Sequence, residues 1–331
     1  MNKILSVVVP SYNVENYIKK GLESFISAKA MEYLEVIIVD DGSSDQTAKI
    51  AEMFVNEYPQ TFFLISKENG GHGSAVNAGI KHATGKYFKI VDGDDWIETE
   101  NLESFLSQLM MTNAELVLTD YQTVHMETGE VQKYLFNGLE RNQEYTVEAI
   151  LQSGVLFPMA TLCYRTDILQ KNNIRLQEKT FYVDEEFDVL PFVYIQKIFV
   201  SSLLIYNYLI GNSNQSVFMQ NQIRRLEDKK KVTRRLAKYL VENQTVSSNY
   251  QYCFYKVKGA IESVFLVSFI YDEDSLHGRK NAVQFYKEMK EINIRLAVAV
   301  RKKFVLFWLL NHFKNRKSLY LKIKQAKKIK Q

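Results

Sequence analysis

The chain reads as an α/β protein with a mostly parallel central sheet, followed by a helical C-terminal region. Two patterns predict this. Over the first 120 residues, short β-branched runs alternate with amphipathic stretches, as right-handed βαβ crossovers and a sheet covered on both faces require. From about Met219 the character changes to long helical periodicity. A length of 331 residues, 46% apolar and 24% charged, fits one large folded domain or a domain with an appendage.

Taken in order, residues 4–10 read as a buried strand and 14–28 as a helix with Tyr17, Ile18, Leu22, Phe25 and Ile26 on one side. Strands follow at 34–40, 61–66 and 87–91, separated by helices at 44–56 and 72–83. After Thr119 the pattern is irregular, with short strands at 130–136 and 161–165, a helix near Asp184 and an apolar strand at 198–209. Helical spacing then dominates 219–241, 251–271 and 282–291. The expected division is 1–216, with halves 1–120 and 121–216, and a helical region 217–331.

Composition narrows the function. Cys163 and Cys253 are the two cysteines and form no CxxC pair, which argues against a disulfide framework or a structural zinc site and points to a reducing cytoplasm. No stretch near Met1 resembles a signal peptide, and no run of about 18 apolar residues occurs, so a cytoplasmic protein without a membrane span is expected. The net charge of +4 conceals a split: residues 301–331 hold eleven Lys or Arg and no Asp or Glu, while the rest holds 31 basic against 38 acidic residues.

Three polar clusters fall at predicted strand ends, where open parallel sheets bind ligands. Pro10-Ser11-Tyr12-Asn13 follows the first strand, Asp40-Asp41-Gly42-Ser43-Ser44-Asp45 the second, and Asp92-Gly93-Asp94-Asp95 the fourth. Ser43, Ser44 or Asp45 also suits a helix cap. Three carboxylates within four residues repel unless they are solvated or share a cation, and their oxygens suit Mg²⁺ or Mn²⁺. No GxGxxG follows the first strand, against a dinucleotide-dependent dehydrogenase. The lack of a Gly-rich loop there also disfavours a nucleotidyltransferase.

The wording of these clusters resembles family 2 glycosyltransferases of the GT-A type. The carrying residues are 6–13, 36–45, Asn69-Gly70-Gly71, Asn77-Ala78-Gly79, Ala83-Thr84-Gly85-Lys86-Tyr87 and 91–95, closely over 4–110 and loosely to 215. The resemblance implies a nucleotide-sugar-binding domain in which Pro10, Tyr12 and Glu15 line the nucleoside pocket. It makes Asp41 an acceptor for the imide N–H of uracil or thymine. Asp92-Gly93-Asp94 becomes the DxD motif, Asp92 on ribose and Asp94 on the metal, so that Asp94 and Asp92 hold Mn²⁺ or Mg²⁺ at the donor diphosphate. Many relatives carry Arg in the middle of Ala75-Val76-Asn77; here it is Val76, with His72-Gly73-Ser74 nearby.

The family also implies a carboxylate base later in the chain. Asp184 is the candidate, within Phe181-Tyr182-Val183-Asp184-Glu185-Glu186-Phe187, with Glu185 second. Phe187, Leu190 and Tyr194 keep helical spacing, which also suits Asp184 to an N-cap, and Pro191 interrupts that helix. Arg224, Arg225, Arg234 and Arg235 read as a solvated face.

The implied activity is an inverting transfer from a nucleotide diphosphate donor, most simply a UDP-sugar, to a glycan or lipid-linked acceptor in cell-surface polysaccharide synthesis. The alternative is a catalytically silent scaffold subunit that keeps the fold. In the tail, the run 304–310 lies among basic residues, which predicts contact with an anionic membrane surface at the inner face of the cell membrane. A nucleic-acid partner is not expected, since the basic residues are confined to one terminus.

Overall fold

The computed structural model describes residues 3–136, 138–212, 215–216 and 218–328. Lys330 of the basic tail therefore lies outside the described residues. The chain divides into two compact units, 1–212 and 213–331, against the expected division after 216.

In the first unit, β1 (Leu5–Ser11), β2 (Leu34–Asp40), β3 (Phe62–Ser66) and β4 (Tyr87–Ile90) form a parallel block in the order β3-β2-β1-β4. Every residue of β1 and β2 is buried, as strands covered on both faces must be. Val7, Val9, Val36 and Ile38 join one core with helices α1 (Ile18–Glu23), α2 (Thr47–Glu57) and, farther on, α4 (Thr99–Met111). Val8 points the other way, to α3 (His72–His82), where Gly79 lets the helix close on it.

The remaining strands are β5 (Trp96–Ile97), β6 (Leu116–His125), β7 (Val131–Tyr134), β8 (Gln143–Thr146), β9 (Leu162–Arg165) and β10 (Lys197–Ile210). They continue the sheet as β4-β9-β6-β10-β5, with β7 on β6 and β8 on β10. β9 is antiparallel to β4 and β6, so β6 and β10 again run with the parallel block. Short helices α5 (Val147–Ser153), α6 (Thr166–Lys171) and α7 (Asp184–Val189) fill the connections.

Several elements, among them α4, β5, β8, α5 and α6, are not expected at all, and three expected ones differ for a visible reason. The helix expected over 14–28 is reduced to Ile18–Glu23, because residues before it bond to the loop after β2 and Ser24 bonds Ile97 and Thr99. Tertiary hydrogen bonds there compete with the helical ladder. The irregular stretch after Thr119 contains half of β6, whose alternation is hidden by Thr119, Asp120, Gln122 and Thr123. The helix expected through Tyr194 stops at Val189, two residues before Pro191, and a 3₁₀ turn follows.

The second unit is helical: α8 (Met219–Arg224), α9 (Leu226–Glu242), α10 (Ser248–Leu266) running into a π turn at Val267–Tyr271, α11 (Ser275–Ile292), α12 (Ile294–Leu310) and α13 (Arg316–Lys328). Ser247, Asp274 and Asn293 cap α10, α11 and α12 through their side-chain oxygens. Arg234, expected on a solvated face, pairs with Glu288 at 2.8 Å and lies over the Phe285 ring. Among the described residues no helix is long and apolar enough to cross a membrane.

The apolar run of the tail is corrected in part. Phe304 stacks on Tyr286 at 4.2 Å and meets Phe265 and Phe269 edge-on, while Phe307 and Leu310 are buried. One face of α12 is therefore core. Deleting residues 301–331 is expected to unfold the helical unit rather than trim an extension. Each such side chain contributes about 1.5–3 kcal/mol of burial, against a total of about 5–15 kcal/mol for a typical protein. A thermal melt of the truncated chain checks this; an unchanged unfolding profile would refute the docking.

Candidate active site

The loops after β1 and β2 are stitched together. Asn13 N–H donates to Ser43 Oγ at 3.0 Å and Ser44 N–H to Asn13 Oδ1 at 2.9 Å. Val14 N–H donates to Thr47 Oγ1, and Gln46 N–H to Glu15 Oε2 at 2.8 Å. Asp45 accepts Thr47 N–H at 2.9 Å just ahead of α2, but the N-cap position falls on Gln46, so none of Ser43, Ser44 and Asp45 is the cap expected of that cluster. Glu15 thus serves the loop geometry, while Tyr12 is exposed at its rim.

Asp41 is buried, and its carboxylate gathers a neighbouring loop. Oδ1 accepts from Lys67 Nζ at 2.8 Å and Gly70 N–H at 3.0 Å; Oδ2 accepts from Gly71 N–H at 2.7 Å. Asn69 Nδ2 donates to the Asp41 carbonyl at 2.9 Å. Asn69-Gly70-Gly71 is thereby bound to the end of β2, and Gly71 takes φ +83, which favours glycine. Lys67 was missed by sequence reasoning; a lone Lys after a strand carries no local signal of such a partner.

The turn after β4 separates its carboxylates. Asp95 is buried, accepting the Tyr206 hydroxyl at 2.5 Å and Leu209 N–H at 2.8 Å. Burial, then the charges of Asp94 and Asp92, push its pKa well above the carboxylate range. It anchors the turn to β10 and is removed from the set of three carboxylates expected to share a cation. Gly93 N–H donates to the Pro10 carbonyl at 3.2 Å, joining this turn to the end of β1. Asp92 and Asp94 are partly exposed.

His72, at the start of α3, lies 2.8 Å from Asp92 Oδ1 through Nε2. Desolvation works against its charge, but Asp92, the hydrogen bond to it, Asp184 and Asp94 together raise its pKa. Val76, in the middle of Ala75-Val76-Asn77, is fully buried. His72 thus lies within hydrogen-bond distance of the Asp92 carboxylate at the turn after β4.

Asp184 reaches this cluster from far along the chain. It is exposed at the first turn of α7, and the N-cap position falls on Val183, so Asp184 is not the cap. Its charge acts with those of Asp92 and Asp94 on both His72 and Tyr208. Glu186 is instead buried and accepts Gln177 N–H at 2.7 Å and Gln177 Nε2 at 2.6 Å. Glu185, the second candidate, is half-buried.

The segment before α7 is held by α3. Asn77 donates to the Leu176 carbonyl at 2.9 Å and accepts Leu176 N–H at 2.8 Å. Lys179 N–H donates to the Gly70 carbonyl at 2.5 Å. A Cβ on Gly73 would fall 2.1 Å from the Gln177 carbonyl oxygen. Gly73→Ala is therefore expected to displace this segment and Asp184 with it, costing up to about 10²-fold in turnover, while nucleotide affinity holds. Steady-state kinetics beside nucleotide titration checks this; unchanged turnover would refute it.

The family model for glycosyl transferase family 2 matches residues 6–171, half of the chain. The chain belongs to that family. Among relatives, it is 34% identical to the glycosyltransferase GlyA of Streptococcus pneumoniae over 125 residues, 38% of this chain and 18% of GlyA. It is 29% identical to EpsH of Bacillus subtilis over 187 residues, 55% of this chain and 54% of EpsH. The chain thus spans about half or less of the length of these relatives. Staphylococcus aureus TarS 1–349 superposes with a TM-score of 0.70 at 21% identity, covering 96% of this chain and 91% of that one. The same segment solved with UDP-GlcNAc gives 0.66, at 21% identity and over 96% and 92% of the two chains. The fold is the GT-A type, and Pro10, Asp41 and Asp92-Gly93-Asp94 lie at the carboxyl ends of its parallel strands.

Proposed function

We propose that this chain is an inverting glycosyltransferase that moves a sugar from a nucleoside diphosphate donor, a UDP-sugar, to a hydroxyl of a glycan or lipid-linked acceptor. The reading places it in cell-surface polysaccharide synthesis, in the cytoplasm and peripheral at the inner membrane face. The observation that carries it is the turn after β4, where Asp92, 2.8 Å from His72 Nε2, stands with Asp94 beside the end of β1, with the charge of Asp184 felt at the same His72. The likeness to a segment solved with UDP-GlcNAc supports the choice of donor.

Asp184 takes the proton of the acceptor hydroxyl as its oxygen attacks the anomeric carbon. The carbon–oxygen bond to the diphosphate breaks, the leaving oxygen keeps the electron pair, and configuration inverts. Pro10, Tyr12 and Asp41 bind the nucleoside, with Glu15 fixing the loop that carries Tyr12. Among the described residues no group of three or more His, Cys, Asp or Glu is arranged to hold a metal ion. Asp92 and Asp94 still fit Mg²⁺ or Mn²⁺, which binds through one or two carboxylates plus substrate phosphates and water. When bound, such an ion neutralises charge on the departing diphosphate.

A thermal-shift screen of UDP-, dTDP- and GDP-sugars with Mn²⁺ tests the donor. Stabilisation by the uridine or thymidine compounds is expected. A response confined to GDP-sugars would remove the role proposed for Asp41.

A further inference from the structure

Helix α12 is apolar on both of its faces, although only one is covered. Phe307, Leu310, Val300 and Leu296 lie in the core of the helical unit. On the opposite side Ile294, Val298, Val305 and Leu309 are 59%, 64%, 45% and 51% exposed. At 100° per residue these four fall within a narrow arc, a stripe of two apolar pairs, Ile294 with Val298 and Val305 with Leu309, along a helix about 25 Å long. Surface helices normally turn polar residues outward, so an uncovered apolar stripe of this kind marks a contact surface.

The charges around the stripe say what covers it. Arg301 lies along one edge, Lys302 and Arg295 along the other, all exposed, and α12 contains no acidic residue. Half-exposed Trp308 lies beyond Arg301 on the first edge. Beside the stripe, a groove of about 330 Å³ between α11 and α12 is lined by Tyr286, Lys290, Ile294, Val298, Arg301 and Phe304 among others. An apolar centre with cations on both edges is the pattern of a helix lying in the plane of an anionic bilayer. Pairing with a second copy would set the cationic edges of the stripe against those of its partner.

We infer that the exposed stripe of α12, flanked by Arg295, Arg301 and Lys302, docks this protein on an anionic lipid surface. This rests on the peripheral location proposed above and names the surface responsible. It also relocates the contact, since the core-facing side of the 304–310 run is already occupied.

The test is co-sedimentation of the full chain with phosphatidylcholine vesicles, with and without phosphatidylglycerol. Wild type is expected to partition at least about tenfold better onto the anionic vesicles. Val298→Glu/Leu309→Glu and Arg301→Gln/Lys302→Gln should each reduce that partition by about tenfold or more with unchanged melting, since all four positions are exposed. Failure of wild type to sediment with either vesicle overturns both the stripe and the peripheral reading. Sedimentation that the variants do not weaken overturns the stripe alone. A concentration-dependent dimer in light scattering, abolished by Val298→Glu/Leu309→Glu, assigns the stripe to a second copy instead.

Discussion

Asp184→Asn is expected to fold normally and bind donor with metal, yet lose at least about 10²-fold in transfer rate. A neutral hydroxyl is a poor nucleophile, and a positioned carboxylate that takes its proton contributes typically about 10²–10⁴-fold. Asn keeps the size of Asp and removes the basicity. Because the N-cap falls on Val183 and Asp184 is exposed, the substitution removes neither a cap nor a core contact. Glu185→Gln should do much less. Glu186→Gln should chiefly lower the melting temperature, because its carboxylate holds two hydrogen bonds from Gln177 in a buried setting, and weakening such bonds costs about 1–3 kcal/mol. The assay is acceptor-dependent sugar transfer with purified variants, beside melting curves for each. Near-normal transfer by Asp184→Asn would move the base to Glu185.

The second large effect is expected at the metal. Uridine or thymidine diphosphate should stabilise the protein only with Mg²⁺ or Mn²⁺, by about 2.7 kcal/mol when ligand reaches about 100 times its dissociation constant. Asp94→Ala should abolish that stabilisation and leave the melting temperature of the free protein near wild type, since Asp94 is partly exposed. Asp95→Ala should do the reverse first: it removes the anchor between the turn and β10, so the free protein itself should melt lower. Undiminished nucleotide binding in EDTA, or by Asp94→Ala, would refute the metal role.

The parallel block and its polar strand ends were legible because both are local signals. A β-branched run such as Val7-Val8-Val9 needs no distant partner to be read as a buried strand. Asp41, Asp92 and Asp94 then follow from topology, since parallel strands deliver their carboxyl ends to one edge. α1 and β6 were less legible. The first loses its ends to bonds with Ser43, Thr47 and Ile97, and the second mixes polar residues into its alternation. The basic tail was legible as amphipathic, but not which of its apolar residues face the core.

Sequence alone therefore settled which residue types stand at the sheet edge, and in what order. It could not rank chemically identical neighbours. Asp94 and Asp95 are adjacent carboxylates, as are Glu185 and Glu186. Only the fold makes Asp95 an anchor for Tyr206, 111 residues away, and Glu186 a bracket for Gln177, leaving Asp94 and Asp184 accessible. The physical reason is that a carboxylate's role depends on who donates to it and how much water it keeps. Both are set by long-range contacts that no local pattern encodes.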